Sequence, residues 1–378
     1  MPNPKSTAAE RVVVFRYDKV GDLIVTSPLF RAIKEHRPDA HVTLVCSPYN
    51  RMVLENLPEI DQILVYDPQS GWRDKFRFML TLRSLKPTTA FVLSPDPGGY
   101  WLGWLSGARR RAGVIMSYRR LQRMFAPLLL TETEVIHRNV LDRGTDRTYH
   151  QSEVALRLAA RFGFARPADI AQRAPVPQGA REWVTRNTYA PALPQRRILL
   201  HLGATWRSCG LSEEYIPLLV QRIHDSIPGA ALLLTAGPAE PSYFAAMRSE
   251  FSKITQADPL LLASPARYPR AILCSGLSLS AWSALIESAS LVVTPDTGAV
   301  HFASAHRRPV VAVYAPKRYH AMTSLFGPWE TTYRTLRGEG SPEGLCAEIL
   351  NAIHDLLAGE APAESALEVS LVKSAGAL

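Results

Sequence analysis

Cysteine is scarce in this chain of 378 residues: Cys46, Cys209, Cys274 and Cys346 lie far apart and show no paired spacing. That excludes a zinc signature and a disulfide framework, and it fits a reducing compartment. No apolar run is long enough to cross a bilayer. The opening stretch, Met1 to Glu10, is polar, and no apolar core of signal-peptide length follows it. A cytoplasmic location is therefore expected, with contact to the inner face of a membrane left open. Two nucleotide signatures are also missing. No G-x-G-x-x-G follows the first apolar strand, which weakens a nicotinamide or flavin dehydrogenase, and no glycine-rich loop ends in Lys-Ser/Thr as in a nucleotide hydrolase. There is also no Asp-x-Asp pair of the kind that holds a divalent ion.

The chain is rich in core-forming residues, with 47% hydrophobic and 20% charged. This is the composition of a globular protein, and the length favours two domains. The formal charge is +9. Such a balance suits a phosphorylated substrate, an acidic membrane surface or nucleic acid, and equally suits arginines on solvated faces.

Strand and helix patterns alternate. Val12 to Phe15, Val42 to Cys46, Ile63 to Tyr66 and Thr89 to Leu93 read as strands. Leu23 to Glu35, Trp72 to Leu85, Tyr100 to Leu105 and Ser152 to Phe162 read as helices. This rhythm predicts a doubly wound parallel sheet. Pro167, Pro175, Pro177, Pro191 and Pro194 then mark a boundary. The rhythm restarts with strands at Ile198 to His201, Ala231 to Thr235 and Ala271 to Cys274, and helices at Glu213 to Ile223, Ala281 to Ser288 and Gly344 to Leu357. The expected division is a first domain over 1–175, a Pro-rich linker over 176–195, a second domain over 196–358 and a disordered Ala/Glu/Ser tail over 359–378. Two such halves would place a ligand cleft at their facing strand ends.

The most informative segment is Leu291-Val292-Val293-Thr294-Pro295-Asp296-Thr297-Gly298-Ala299-Val300-His301. A buried strand runs into a Pro-Asp-Thr-Gly turn, and a helix over Ala299 to His306 leads to a second strand, Pro309 to Tyr314. The turn aims free amides and the positive helix end at the mouth of a parallel sheet, where phosphates bind. A capped helix with a surface histidine is the plainer reading. In the first half, Phe15-Arg16-Tyr17-Asp18-Lys19-Val20-Gly21-Asp22-Leu23 places Asp22 where a strand gives way to a helix. It reads either as an N-cap or as a carboxylate at the cleft mouth, able to take a proton from a sugar hydroxyl.

Together these stretches carry a resemblance. Arg16-x-x-x-x-Gly21-Asp22-x-x-x-Thr26-x-Pro28, Leu105 to Val114, Thr235 to Glu240 and Pro295-Asp296-Thr297-Gly298-x-x-His301-x-Ala303-x-Ala305 resemble glycosyltransferase family 9, the ADP-heptose:lipopolysaccharide heptosyltransferases, over roughly residues 11–330. The resemblance implies an α/β GT-B fold of two facing Rossmann-like domains, acceptor on the first and nucleotide sugar on the second. It implies inverting, metal-independent transfer of heptose from ADP-heptose to a hydroxyl of the lipopolysaccharide core, in the cytoplasm and peripheral to the inner membrane. Asp22 would be the base. Thr205, Arg207, Glu240, Asp296, Thr297, Gly298 and His301 would meet the donor. Arg16, Lys19, Arg109, Arg110 and Arg111 would meet an anionic glycolipid acceptor, Kdo-lipid A or heptosylated core; no nucleic acid is expected.

Two departures qualify this. Cys209 stands where many members carry a lysine that meets the diphosphate, and Val25 where the enzymes adding the first heptose often carry histidine. Arg207 would have to replace the missing cation, or else be a solvated loop residue. Another nucleotide sugar, a different acceptor, or a non-catalytic nucleotide-sugar-binding protein therefore stay open. The run Arg109, Arg110, Arg111, Arg119, Arg120 and Arg123, interleaved with Tyr118 and Phe125, fits anionic acceptor groups or an inner leaflet better than RNA, unless it is simply solvated surface. Trp101 and Trp104 read as core, or as an amphipathic lip near lipid.

Overall fold

The computed structural model describes residues 10–137, 144–188, 196–237, 247, 252–253, 260–264 and 268–359. Its first half runs β1 (Arg11–Phe15), α1 (Val20–His36), β2 (His41–Cys46), β3 (Gln62–Val65), α2 (Trp72–Ser84), β4 (Thr89–Val92), α3 (Pro97–Leu105), β5 (Arg110–Met116), α4 (Arg120–Leu129) and β6 (Glu132–Ile136). The six strands pair in parallel in the order β3-β2-β1-β4-β5-β6. Alternation along β1 sorts its side chains between two faces. Val12 and Val14 enter a core under α1 and α5 (Gln151–Arg161). Val13 and Phe15 enter a separate core under α2, α3 and α4.

The second half begins after α6 (Gln178–Thr188) with β7 (Arg196–Leu202), α7 (Thr205–Ser208), α8 (Ile216–Ser226), β8 (Ala230–Ala236), β9 (Ser252–Lys253), β10 (Leu260–Ser264) and β11 (Tyr268–Ser275). It continues through α9 (Leu279–Ser288), β12 (Leu291–Pro295), α10 (Gly298–Ala305), β13 (Val310–Tyr314), α11 (Tyr319–Phe326), β14 (Tyr333–Arg337) and α12 (Pro342–Leu357). Its eight-stranded sheet has the order β14-β13-β12-β7-β8-β11-β10-β9. The expected parallel sheet holds from β14 to β11, but β10 and β9 extend it antiparallel. The stretch expected as a Pro-rich linker contains α6, which packs on α9. Glu240 and all but the first residue of the expected tail lie outside the described residues.

The core under α1 runs on into the second half through Ala299, Val300 and Phe302 of α10, because the N-terminal ends of α1 and α10 abut. Elsewhere along the seam, His150 stacks on Trp329 with ring centroids 4.3 Å apart, and the Trp329 indole donates to the Ile170 carbonyl at 2.8 Å. Among the described residues no helix is long and apolar enough to cross a membrane.

Candidate active site between the two halves

β1 ends at Phe15, and its continuation, Arg16 to Lys19, delivers α1 to the C-terminal edge of the first sheet. Arg16 is buried there. Its guanidinium lies 3.3 Å from Asp22 Oδ1 and 3.4 Å from Asp18 Oδ1, and it also donates to the carbonyls of Asp22 and Leu93. Asp22 is the third residue of α1 rather than its N-cap, which is Lys19; the Lys19 amide donates to Asp22 Oδ2 at 3.3 Å. Part of the Asp22 side chain stays open to solvent. Ser94 donates to Asp18 at 3.1 Å, while the Tyr17 hydroxyl donates to Asp96 at 2.7 Å. Burial, assisted by the neighbouring Asp22, lifts the Asp18 carboxyl to about 6 against the pull of Arg16.

β12 delivers the opposite wall. Thr297 caps α10, its hydroxyl accepting from the Ala299 amide at 3.3 Å and pairing with the Thr294 hydroxyl at 2.9 Å. Asp296 is anchored by its own amide, 2.9 Å from the Val313 carbonyl. Burial raises the Asp296 carboxyl, opposed by the positive charges of Arg318 and Lys19. His301, one turn into α10, is buried and held neutral: burial depresses it to about 4, with Asp22 favouring and Arg16 disfavouring the proton. Its Nδ1 has no hydrogen-bond partner among the described residues. A Cβ added to Gly21 would sit 2.4 Å from His301 Cδ2. Only glycine lets the two helices approach this closely, and the contact sets Asp22 beside His301 with both positive helix ends on one gap.

The remaining expected residues divide. Thr205 opens α7 just past the end of β7, on the mouth side. Arg207, beside it, is exposed and engaged by Glu213, its Nη2 lying 2.6 and 2.7 Å from the two carboxylate oxygens. Cys209 is buried, donates to the Val313 carbonyl at 3.3 Å and is pushed by burial to about 11. Arg16, expected to meet acceptor, is a buried partner of Asp18 and Asp22 instead. Arg109, Arg110 and Arg111 are not brought to the mouth: β5 starts at Arg110, at the N-terminal end of the sheet. Arg110 pairs with Glu10 and stacks over Phe162 at 5.2 Å; Arg111 donates to the carbonyls of Leu129 and Ala108, both at 2.6 Å. Lys317 and Arg318 escaped the sequence reading. They follow β13 at the mouth, and the available signal was a basic pair two residues beyond an apolar strand, Val310 to Tyr314.

Two Rossmann-like halves that meet at the N-terminal ends of α1 and α10 make a GT-B fold. Residues 260–352 match the family model described as glycosyltransferase family 9 (heptosyltransferase). No curated protein matches the chain in sequence. Among solved structures, the chain is similar to a glycosyl transferase family 9 protein from Veillonella parvula DSM 2008, with TM-score 0.69, 17% identity, and 93% of this chain and 97% of that one covered. It is also similar to the ADP-heptose lps heptosyltransferase II of E. coli, with TM-score 0.66, 18% identity, and 93% and 100% covered. The E. coli heptosyltransferase WaaC with ADP-2-deoxy-2-fluoro heptose gives TM-score 0.65 and 17% identity, with 93% and 100% covered.

Proposed function

We propose that this glycosyltransferase moves a heptose from ADP-heptose to a hydroxyl of an anionic glycolipid of the lipopolysaccharide core, with inversion and without a metal ion. The observation that carries the reading is the meeting of Asp22 with the α10 N-terminus at Gly21 and His301. The acceptor hydroxyl gives its proton to the Asp22 carboxylate while its oxygen attacks the anomeric carbon. The bond from that carbon to the diphosphate breaks on the opposite face, and ADP departs with the electron pair. The amides at the start of α10 and the cations Lys19 and Arg318 receive the growing negative charge, in the role that Cys209 cannot fill. The His301 Nδ1, left without a partner, serves a polar group of the donor.

The test is a transfer assay with ADP-heptose and truncated core acceptors. Asp22→Asn should lower kcat by about 10²–10⁴-fold, the usual worth of a positioned base, while ADP binding changes little. Full turnover by that variant removes the assigned base. Cys209 favours one second reading, a donor other than ADP-heptose. Stronger thermal stabilisation by UDP or GDP than by ADP would establish it.

A further inference from the structure

Exposed large apolar side chains are concentrated on one face of the first half. On α4, Leu121, Met124 and Leu128 point to solvent, with Leu128 74% exposed, while Gln122, Ala126 and Leu129 cover the sheet. The helix thus carries two apolar stripes, and packing against its own sheet accounts for only one. The neighbouring α3 turns Tyr100 and Leu102 inward and Trp101 and Trp104 outward, the two indoles in edge contact at 5.7 Å. These tryptophans are therefore not core. On α2, which packs on α3, Trp72, Phe76 and Leu80 form an exposed stripe spaced four residues apart.

The charge on this face has one sign over a long stretch. From Pro97 to Thr131 the chain has no acidic residue, and Arg119, Arg120 and Arg123 are exposed around the α4 stripe. On α2, Arg73 lies 5.4 Å over the Trp72 ring. Indoles that keep a polar edge, aliphatic side chains one turn apart and a cationic surround match the headgroup region of an anionic leaflet.

We propose that α2, α3 and α4 form an interfacial docking surface for an anionic lipid bilayer, on which the protein lies without spanning it. This deepens the glycolipid reading above by naming the surface that meets the lipid. The patch adjoins the site. Asp96 caps α3 at the Gly99 amide, 3.0 Å away, and also holds Tyr17, in the loop that leads into the helix carrying Asp22. A glycolipid anchored in a leaflet against this face has its sugars at the level of the gap.

The test uses the full chain with vesicles of phosphatidylcholine alone or mixed with phosphatidylglycerol. Wild type should cosediment with the mixed vesicles, and salt should weaken binding. Trp101→Ser with Leu121→Ser and Leu128→Ser, all exposed, should weaken it on the order of a thousandfold, since each buried side chain of this size contributes about a factor of ten. Arg119→Glu with Arg120→Glu and Arg123→Glu should abolish the preference for the anionic vesicles. Turnover of a water-soluble truncated acceptor should be unchanged in both variants. Loss of that turnover in wild type would count against the proposed reaction and leave the vesicle result standing. The docking surface is overturned if wild type ignores anionic vesicles or the serine variant binds them equally well. It is also overturned if sedimentation equilibrium shows a wild-type dimer that the serine variant dissolves, which makes the face a contact between copies.

Discussion

Gly21 decides whether the two halves can meet. Inside a helix, alanine is more stable than glycine by about 1 kcal/mol, so propensity alone makes Gly21→Ala stabilising. The added methyl, however, would stand 2.4 Å from His301 Cδ2, well inside van der Waals contact, and the buried imidazole has little room to yield. Overpacking of this kind costs about 1–3 kcal/mol and outweighs the propensity gain. Gly21→Ala should therefore unfold at lower urea and lose transfer activity together. An unchanged or higher midpoint would mean that the helix ends separate freely. Asp22 and the segment Asp296 to His301 were legible in the sequence because each belongs to a contiguous strand–turn–helix, in the turn or the first turn of its helix. Arg318 was not, since its relation to Asp296 arises only when β13 pairs beside β12. Arg110 and Arg111 were misplaced for the converse reason. Their strand went unrecognised behind its basic start, and without it nothing shows that they occupy the end of the sheet away from the mouth.

Pro28 interrupts the helix that presents Asp22, and it removes the donor that would have reached the Ile24 carbonyl. Ser27 fills the vacancy. Its hydroxyl donates to the Ile24 carbonyl at 2.7 Å in a buried setting and accepts from the half-buried Arg173 amide at 2.8 Å. Ser27→Ala leaves two backbone groups unpaired and should cost about 2–6 kcal/mol by denaturant unfolding, at 1–3 kcal/mol for each. Pro28→Ala in the same chain should recover part of it by restoring the helical bond to Ile24, and absence of recovery would show that Arg173 carries the whole effect. The helix itself was readable from apolar spacing, as were the buried β-branched strands. The antiparallel β9 and β10 were not, because period and composition are the same for either strand direction. Nor was α6, where prolines at Pro175 and Pro177 suggested a linker but only precede the helix.

Over the whole molecule, acid should loosen the fold through buried neutral histidines. Burial depresses His201, His301 and His306 to about 4, and lowers His150 as well, at the seam beside His301. An unfolded histidine titrates near 6.5. Between about 4 and 6.5 the unfolded chain therefore binds more protons, and stability falls as pH falls through that window. At about 1.4 kcal/mol per unit, each of the three contributes on the order of 3 kcal/mol once the window is crossed. Asp18 acts with the opposite sign. Its folded value of about 6 lies above the unfolded 3.8, so its contribution is full below 3.8 and is lost as pH rises through 6. It offsets less than one histidine. The lowered carboxyls Asp61, Asp169 and Glu287 add to the acid loss only below about pH 4.5, outside most of the histidine range. The net loss is comparable with the roughly 5–15 kcal/mol that holds a typical domain together. Urea midpoints measured from pH 7.5 down to pH 4.5 should fall steadily from about pH 6.5. A flat profile across that range would mean that His201, His301 and His306 reach water or a counter-charge in the folded protein. The sealed contact between α1 and α10 would then not exist in solution.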